Sequence, residues 1–232
     1  MANSNREFFN SLCGEVLQEC VASHTFDSAK GYLNELDEAD RGDLLRFLFW
    51  ESLRAGDWWI AEECIASGLL IQGDDVYDFL GEEPLHLSMD YFGDCPAIVE
   101  WLLNHGADIE ARSLTCSNGT PLIHAVALSL TNVVKMLIRY GADINASTVV
   151  DNASTPLMIA TMRDNRGIAE LLLKHGADEK LKDRWGDDAI SIGSRLGRSW
   201  MAELVRRSQR GIGPKDRHKG PKAKGQKDRH NR

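Results

Sequence analysis

Three amphipathic stretches recur along the middle of the chain. Apolar residues stand at Ile98, Val99, Leu102 and Leu103, at Val133, Val134, Leu137 and Ile138, and at Ile168, Leu171, Leu172 and Leu173, with polar residues between them. This is the spacing of one buried helical face. Each stretch runs into Gly-Ala-Asp, and the glycines Gly106, Gly141 and Gly176 lie 35 residues apart. A glycine there predicts a helix ended by a left-handed residue. Upstream stand Glu83-Pro84-Leu85-His86, Thr120-Pro121-Leu122 and Thr155-Pro156-Leu157. Threonine before proline and an apolar run predicts a helix start, because the hydroxyl caps and proline is tolerated in the first turn. Each unit therefore reads as helix, short turn, helix and longer loop. A fixed period of this length predicts a solenoid of stacked helix pairs.

Weaker units flank the clear ones. Leu48 to Gly68 fits the same frame, with Gly56-Asp57 at the turn and Ile60, Ala61, Cys64 and Ile65 on the second helix. Ala189 to Arg207 fits at the other end, with Asp183, Gly186 and Gly197 in register and Leu204 and Val205 closing the last helix. Before the array, Phe8, Phe9, Leu12, Cys13, Val16, Leu17, Cys20 and Val21 form one apolar helical face. Asp27 and Ser28 offer a cap for a second helix through Leu33 and Leu36. A terminal unit that covers its neighbour's apolar side is the reading for this segment.

The Thr-Pro-Leu-His start, present in part in each clear unit and with its histidine at His86, together with the Gly-Ala-Asp ending, resembles the ankyrin repeat. The resemblance implies an all-α solenoid of about five helix-turn-helix repeats over residues 44–208. The expected organisation is an N-terminal helical cap at 1–43, a repeat domain at 44–209 and a disordered basic tail at 210–232. The second unit is two residues longer between Pro84 and Gly106 than its neighbours, so its inter-helix turn is expected to bulge near Phe92–Cys95. His86 is expected to tie turns together by hydrogen bonding to backbone, since both ring nitrogens can be used. His124 falls one position late, and Met158 replaces the residue in the next unit. His105 and His175, beside the helix-ending glycines, are expected to be caps or solvent-facing, and Trp58 to be core.

Charge adds an asymmetry. The chain of 232 residues carries a net charge of -8, but from Arg210 onward nine Lys/Arg face two Asp/Glu, a balance of +7 that leaves -15 on the rest. An acidic body attracts a basic partner and repels nucleic acid, and a basic tail does the reverse. The tail, in which Lys215-Asp216-Arg217-His218 recurs as Lys227-Asp228-Arg229-His230, has almost no apolar residue. Weak phosphate contact through residues 211–232 is one reading and a merely solvated segment is the other.

Little chemistry is legible. The five cysteines, Cys13, Cys20, Cys64, Cys95 and Cys116, include no Cys-x-x-Cys pair and read as buried reduced thiols, consistent with a cytoplasmic location. No apolar run approaches the ~20 residues of a membrane span, and no secretory leader is seen. Gly-rich phosphate loops, His-Glu-x-x-His and Gly-x-Ser-x-Gly are absent, and Asp74-Asp75, Glu82-Glu83 and Asp187-Asp188 read as solvated acidic loops. The expectation is a binding protein with no cofactor, metal, small-molecule substrate or catalytic role.

The resemblance places partner contacts on loop tips and on exposed positions of the first helices. In this chain those are Phe79, Leu80 and Glu82, then Asp90 and Tyr91, then Cys116, Ser117 and Leu128, then Asp151, Asn152, Met162 and Arg163, and finally Arg184, Trp185, Asp187 and Arg195. Tyr91, Arg163 and Trp185 are the expected anchors, because aromatic residues and arginine dominate binding hot spots. Trp185 packed on Leu181 within its own loop is the competing reading. The implied function is to hold another protein on the concave face and loop tips. An inhibitory, immunity-like binder masking a basic effector and a tether using the basic tail remain open beside it.

Overall fold

Proline and capping residues set where the helices begin. The computed structural model describes residues 2–69, 83–113, 118–150 and 152–210, with side chains from Cys13 onward except that of Arg54. Among them are twelve helices. α1 (Ala2–Ser23) and α2 (Asp27–Glu35) precede five helix pairs. These are α3 (Glu38–Ala55) with α4 (Trp58–Ala66), α5 (Pro84–Phe92) with α6 (Pro96–Asn104), α7 (Pro121–Ala127) with α8 (Thr131–Arg139), α9 (Pro156–Met162) with α10 (Arg166–Lys174), and α11 (Ala189–Arg195) with α12 (Trp200–Gln209). α3 thus begins ahead of residue 44.

Thr120 Oγ1 accepts the Ile123 N–H and Thr155 Oγ1 accepts that of Met158, so both threonines cap as their sequence predicts. Glu83 holds the same N-cap place with an extended backbone but makes no side-chain cap. α2 starts differently from expectation. Its N-cap is Phe26, which makes no capping bond, and Asp27 is already in the first turn. Phe26 is buried, so packing of its ring rather than a polar cap sets the start.

Gly106, Gly141 and Gly176 have φ of 97°, 90° and 96°. The N–H of Ala107 reaches Leu102 O and that of Gly106 reaches Leu103 O, the paired bonds that close a helix over a left-handed residue, and the next two units repeat them. His105 and His175 take the C-cap positions.

The longer second unit does not bulge at its turn. Three residues, 93–95, link α5 to α6, as 128–130 link α7 to α8 and 163–165 link α9 to α10. The two extra residues lengthen α5 to nine residues against seven in α7 and α9. Helix continuation satisfies backbone groups that a bulge would leave unpaired. The longer helix leaves through Gly93, at φ 61° and ψ −135°, a conformation open essentially to glycine alone.

The first helices α5, α7, α9 and α11 pack side by side, and the second helices α6, α8, α10 and α12 form a parallel row. One continuous apolar core runs from Cys13, Val16 and Cys20 of α1 to Met201, Leu204 and Val205 of α12. α1 lies against α2 and α3. Trp58 is half-buried rather than enclosed, with its ring edge-on to Trp101 of α6 at 5.8 Å. Cys13, Cys20 and Cys64 are free and buried, and burial pushes the Cys13 thiol up to about 12.

Polar bonds stitch neighbouring units. Asp94 Oδ1 accepts the N–H groups of Asn132 and Val133, both at 2.9 Å, and so caps α8 from the preceding repeat. Glu110 accepts from Asp143 N at 2.7 Å, Asn145 from Asp178 N at 2.9 Å, and Asp164 from Trp200 Nε1 at 2.7 Å. Residues 70–82, 114–117, 151 and 211–232 fall outside the described residues. The expectations for the acidic loop at Asp74-Asp75, for Cys116 and for the basic tail fall there.

Gly93→Ala should destabilise the protein by about 1–3 kcal/mol through backbone strain alone, since no atom stands within 4 Å of an added Cβ. Gly31→Ala, inside α2 and equally uncrowded, should stabilise by about 0.5–1 kcal/mol. Urea unfolding of both variants checks the contrast, and equal effects would rule out the Gly93 assignment.

Candidate functional site

Stacking turns equivalent positions of the first helices into columns. Six residues after the first residue of each helix stand Asp90, Ala127, Met162 and Arg195, and seven after it stand Tyr91, Leu128, Arg163 and Leu196. All but the half-buried Ala127 are exposed. Five of the sequence-predicted residues, Asp90, Tyr91, Met162, Arg163 and Arg195, thus join two adjacent lines at the C-terminal ends of the first helices. The large apolar members are Tyr91 at 43% exposure, Leu128 at 42%, Met162 at 37% and Leu196 at 47%, one in each of four successive repeats.

The long loops enter the first helices at their other ends. There Val149 and Val150 are exposed, and Trp185 is 73% exposed. Trp185 therefore does not pack away within its loop. Asp183, itself buried, accepts the N–H groups of Trp185 and Asp187 at 2.8 and 2.9 Å and holds the tip in shape. Columns and loop tips therefore flank a strip formed by the first helices. Seven of the nine exposed large hydrophobics among the described residues lie on its two margins.

Several predicted contacts are engaged within the chain. Asp90 Oδ1 accepts from His124 Nε2 of the next repeat at 2.9 Å. Arg184 donates its N–H to Asn152 O at 2.8 Å and its guanidinium to Val149 O. Arg112 makes the corresponding bridge one loop earlier, to Ser147 O at 2.9 Å. Arg195 pairs with Asp187 at 3.0 Å. These residues shape the face as well as decorate it. Phe79, Leu80 and Glu82, with Cys116, Ser117 and Asp151, lie outside the described residues.

Sequence reasoning missed Leu196, Val149, Val150 and the Asp90–His124 bond. Leu196 was available by counting seven positions from Ala189, and the two valines from an apolar pair in an otherwise polar loop. Nothing local announces a bond between residues 34 positions apart.

Beneath the strip lies His86, fully buried, with its ring 5.3 Å from that of His124. Its Nε2–H donates to Gly119 O at 3.1 Å and so ties two repeats, but the buried Nδ1 makes no hydrogen bond, so only one of the two ring nitrogens is used. Burial lowers its pKa from 6.5 to about 3, helped by the neighbouring His124 ring. Among the described residues no three or more His, Cys, Asp or Glu side chains cluster in a way that would hold a metal ion, and no helix is long and apolar enough to cross a membrane.

A family model described as "Ankyrin repeats (3 copies)" matches residues 59–148, and one described as "Ankyrin repeat" matches residues 152–184. Comparison with curated proteins gives no match.

The depressed pKa fixes the sign of a pH effect. Between about pH 3 and 6.5 the unfolded chain takes a proton at His86 that the folded chain refuses, so folding stability rises with pH across that window and is lost as pH falls through it. Urea midpoints of the wild type and His86→Gln should differ by a constant amount above about pH 7, and the wild type's advantage should shrink toward pH 4. An advantage independent of pH would show that His86 protonates freely in the fold.

Proposed function

The chain belongs to the ankyrin-repeat family, a family of protein-interaction modules, and from that membership we propose that it holds a partner protein on the strip between the first-helix columns and the loop tips. The observation that carries this reading is the concentration of exposed apolar side chains on the two margins, with Trp185 raised furthest into solvent. Scattered surface apolar residues are ordinary, but ones repeated at the same or the adjacent position of successive units line one side of the stack.

The partner we favour is basic. The body's balance of -15 raises the local concentration of a positively charged protein and speeds its capture. Apolar contacts then supply retention, because charges at an interface steer encounter more than they add affinity. Such a binder inhibits its partner when the covered surface is the partner's working surface, and recruits it otherwise.

Tyr91→Ala and Trp185→Ala should each weaken binding to a partner retained by the body by about tenfold or more, with melting temperatures unchanged, since both side chains are exposed. Titration calorimetry with the isolated partner decides it. Unchanged affinity in both variants removes this surface from the interface.

A further inference from the structure

Polar stitching between repeats is uneven, and the junction between α3–α4 and α5–α6 lacks it at three places where the next junction has it. Asp94, two residues before α6, caps α8 of the following repeat at 2.9 Å. Two residues before α4 the chain has Gly56, with no side chain to cap α6, and Cys95 at the N-cap of α6 makes no side-chain cap. His124, three residues after Pro121, bonds to Asp90 of the preceding repeat. Three residues after Pro84 stands the buried, apolar Leu87. Tyr140, just before Gly141, donates its hydroxyl to Glu100 of the preceding repeat at 2.9 Å. His105, just before Gly106, instead donates Nδ1–H to Trp101 O of its own helix at 2.8 Å.

Aromatic rings meet across this junction. Trp101 of α6 lies 6.2 Å from Phe49 of α3 and 5.8 Å from Trp58 of α4, between ring centres. Trp50 stands edge-on to Phe49 at 5.1 Å. The indole N–H groups of Trp50 and Trp101 are buried without a hydrogen bond. A buried donor left unpaired costs its desolvation and returns no bond. The apolar core is continuous through the junction, but apolar contact is non-directional and fixes no register.

Helices α1–α4 also cover one another. α1 packs on α2 and α3, and α3 on α4, burying Val16, Cys20, Leu44, Leu48, Ile60 and Cys64. Lys30 of α2 pairs with Glu63 of α4 at 3.1 Å, and Arg41 of α3 donates Nε–H to Leu33 O of α2 at 2.9 Å. α3 has 18 residues against nine in α5, so at most half of it can lie along that neighbour.

We propose that the array is divided at this junction, and that α1–α4 open as one body from α5–α12, which stays folded. A stacked array is held by the sum of its unit and interface energies, so it parts first at its least supported interface. Opening uncovers the rings of Phe49, Trp58 and Trp101. The columns from Asp90 to Leu196 and the loop tips at Val149, Val150 and Trp185 all lie on the second body, so the opening leaves that face whole.

The test is native-state hydrogen exchange of the full chain in sub-denaturing urea, read peptide by peptide. Amides of α3 and α4 should exchange through one shared opening, and those of α7–α12 through a rarer one. Leu48→Ala, in the core of α3, should speed exchange of α3 and α4 at least about tenfold and that of α7–α12 by less than about twofold. Complete unfolding of α1–α4 in this variant leaves the test intact, because α7–α12 carry the readout. Asp94→Ala, which uncaps α8, should speed exchange in α8 and leave α3 and α4 unchanged. A single opening shared by α3 and α8 overturns the proposal, as does a Leu48→Ala variant that speeds both equally. Opening of α7–α12 at lower urea than α3 and α4 overturns it as well.

Discussion

No repeat in this protein buries its own apolar face. A pair such as α7 and α8 leaves Leu122, Ala125, Val126, Val133, Val134 and Leu137 without cover until α5 and α6 close one side and α9 and α10 the other. Stability is therefore a sum of weak units and the interfaces between neighbours. The polar bonds follow the same logic. Asp94 caps a helix of the next unit, His86 holds the carbonyl of Gly119, and Asp164 holds Trp200. Removing a unit exposes apolar surface and strands polar groups at once, and the cost of a stranded buried group exceeds the net value of its bond.

That constraint creates the functional surface. Because the first helices stack side by side, the positions six and seven residues after each helix start face outward in successive repeats, with Ala127 alone half-buried. The columns of Asp90, Ala127, Met162 and Arg195, and of Tyr91, Leu128, Arg163 and Leu196, are consequences of stacking. Residues freed from core duty can then vary to suit a partner, which is how one scaffold serves unrelated interactions. The same stacking makes some candidate contacts double as supports. Asp90 orients His124, and Arg184 fastens one loop to the next, so neither is free in the way the fully projecting Trp185 is.

Most of the helical frame was legible in the sequence, because it rests on local rules. Glycine where φ is positive, threonine before proline and a 3.6-residue apolar period each identify a position without knowledge of the fold. The parts that were not legible depend on tertiary context. The two extra residues of the second unit went into α5 because helix bonds were available to them, and Gly93 supplied the exit. α2 begins at a buried Phe26 where a polar cap at Asp27 and Ser28 had seemed the local choice. The exposure of Trp185 depended on whether Leu181 would receive it, and the pairing of Asp90 depended on the rotation of α7 against α5. A periodic sequence fixes the rungs of the ladder better than the bonds between them.

The central claim is that a partner rests on the first-helix face and the loop tips and leaves the second helices untouched. Hydrogen exchange of the full chain, with and without a protein it retains from lysate, tests that most directly. The account predicts slowed exchange at residues 90–93, 128–130, 163–165 and 183–187 on binding, with the amides of α8 and α10 unchanged. Slowed exchange confined to α8 and α10, with the first-helix ends unaffected, would contradict it.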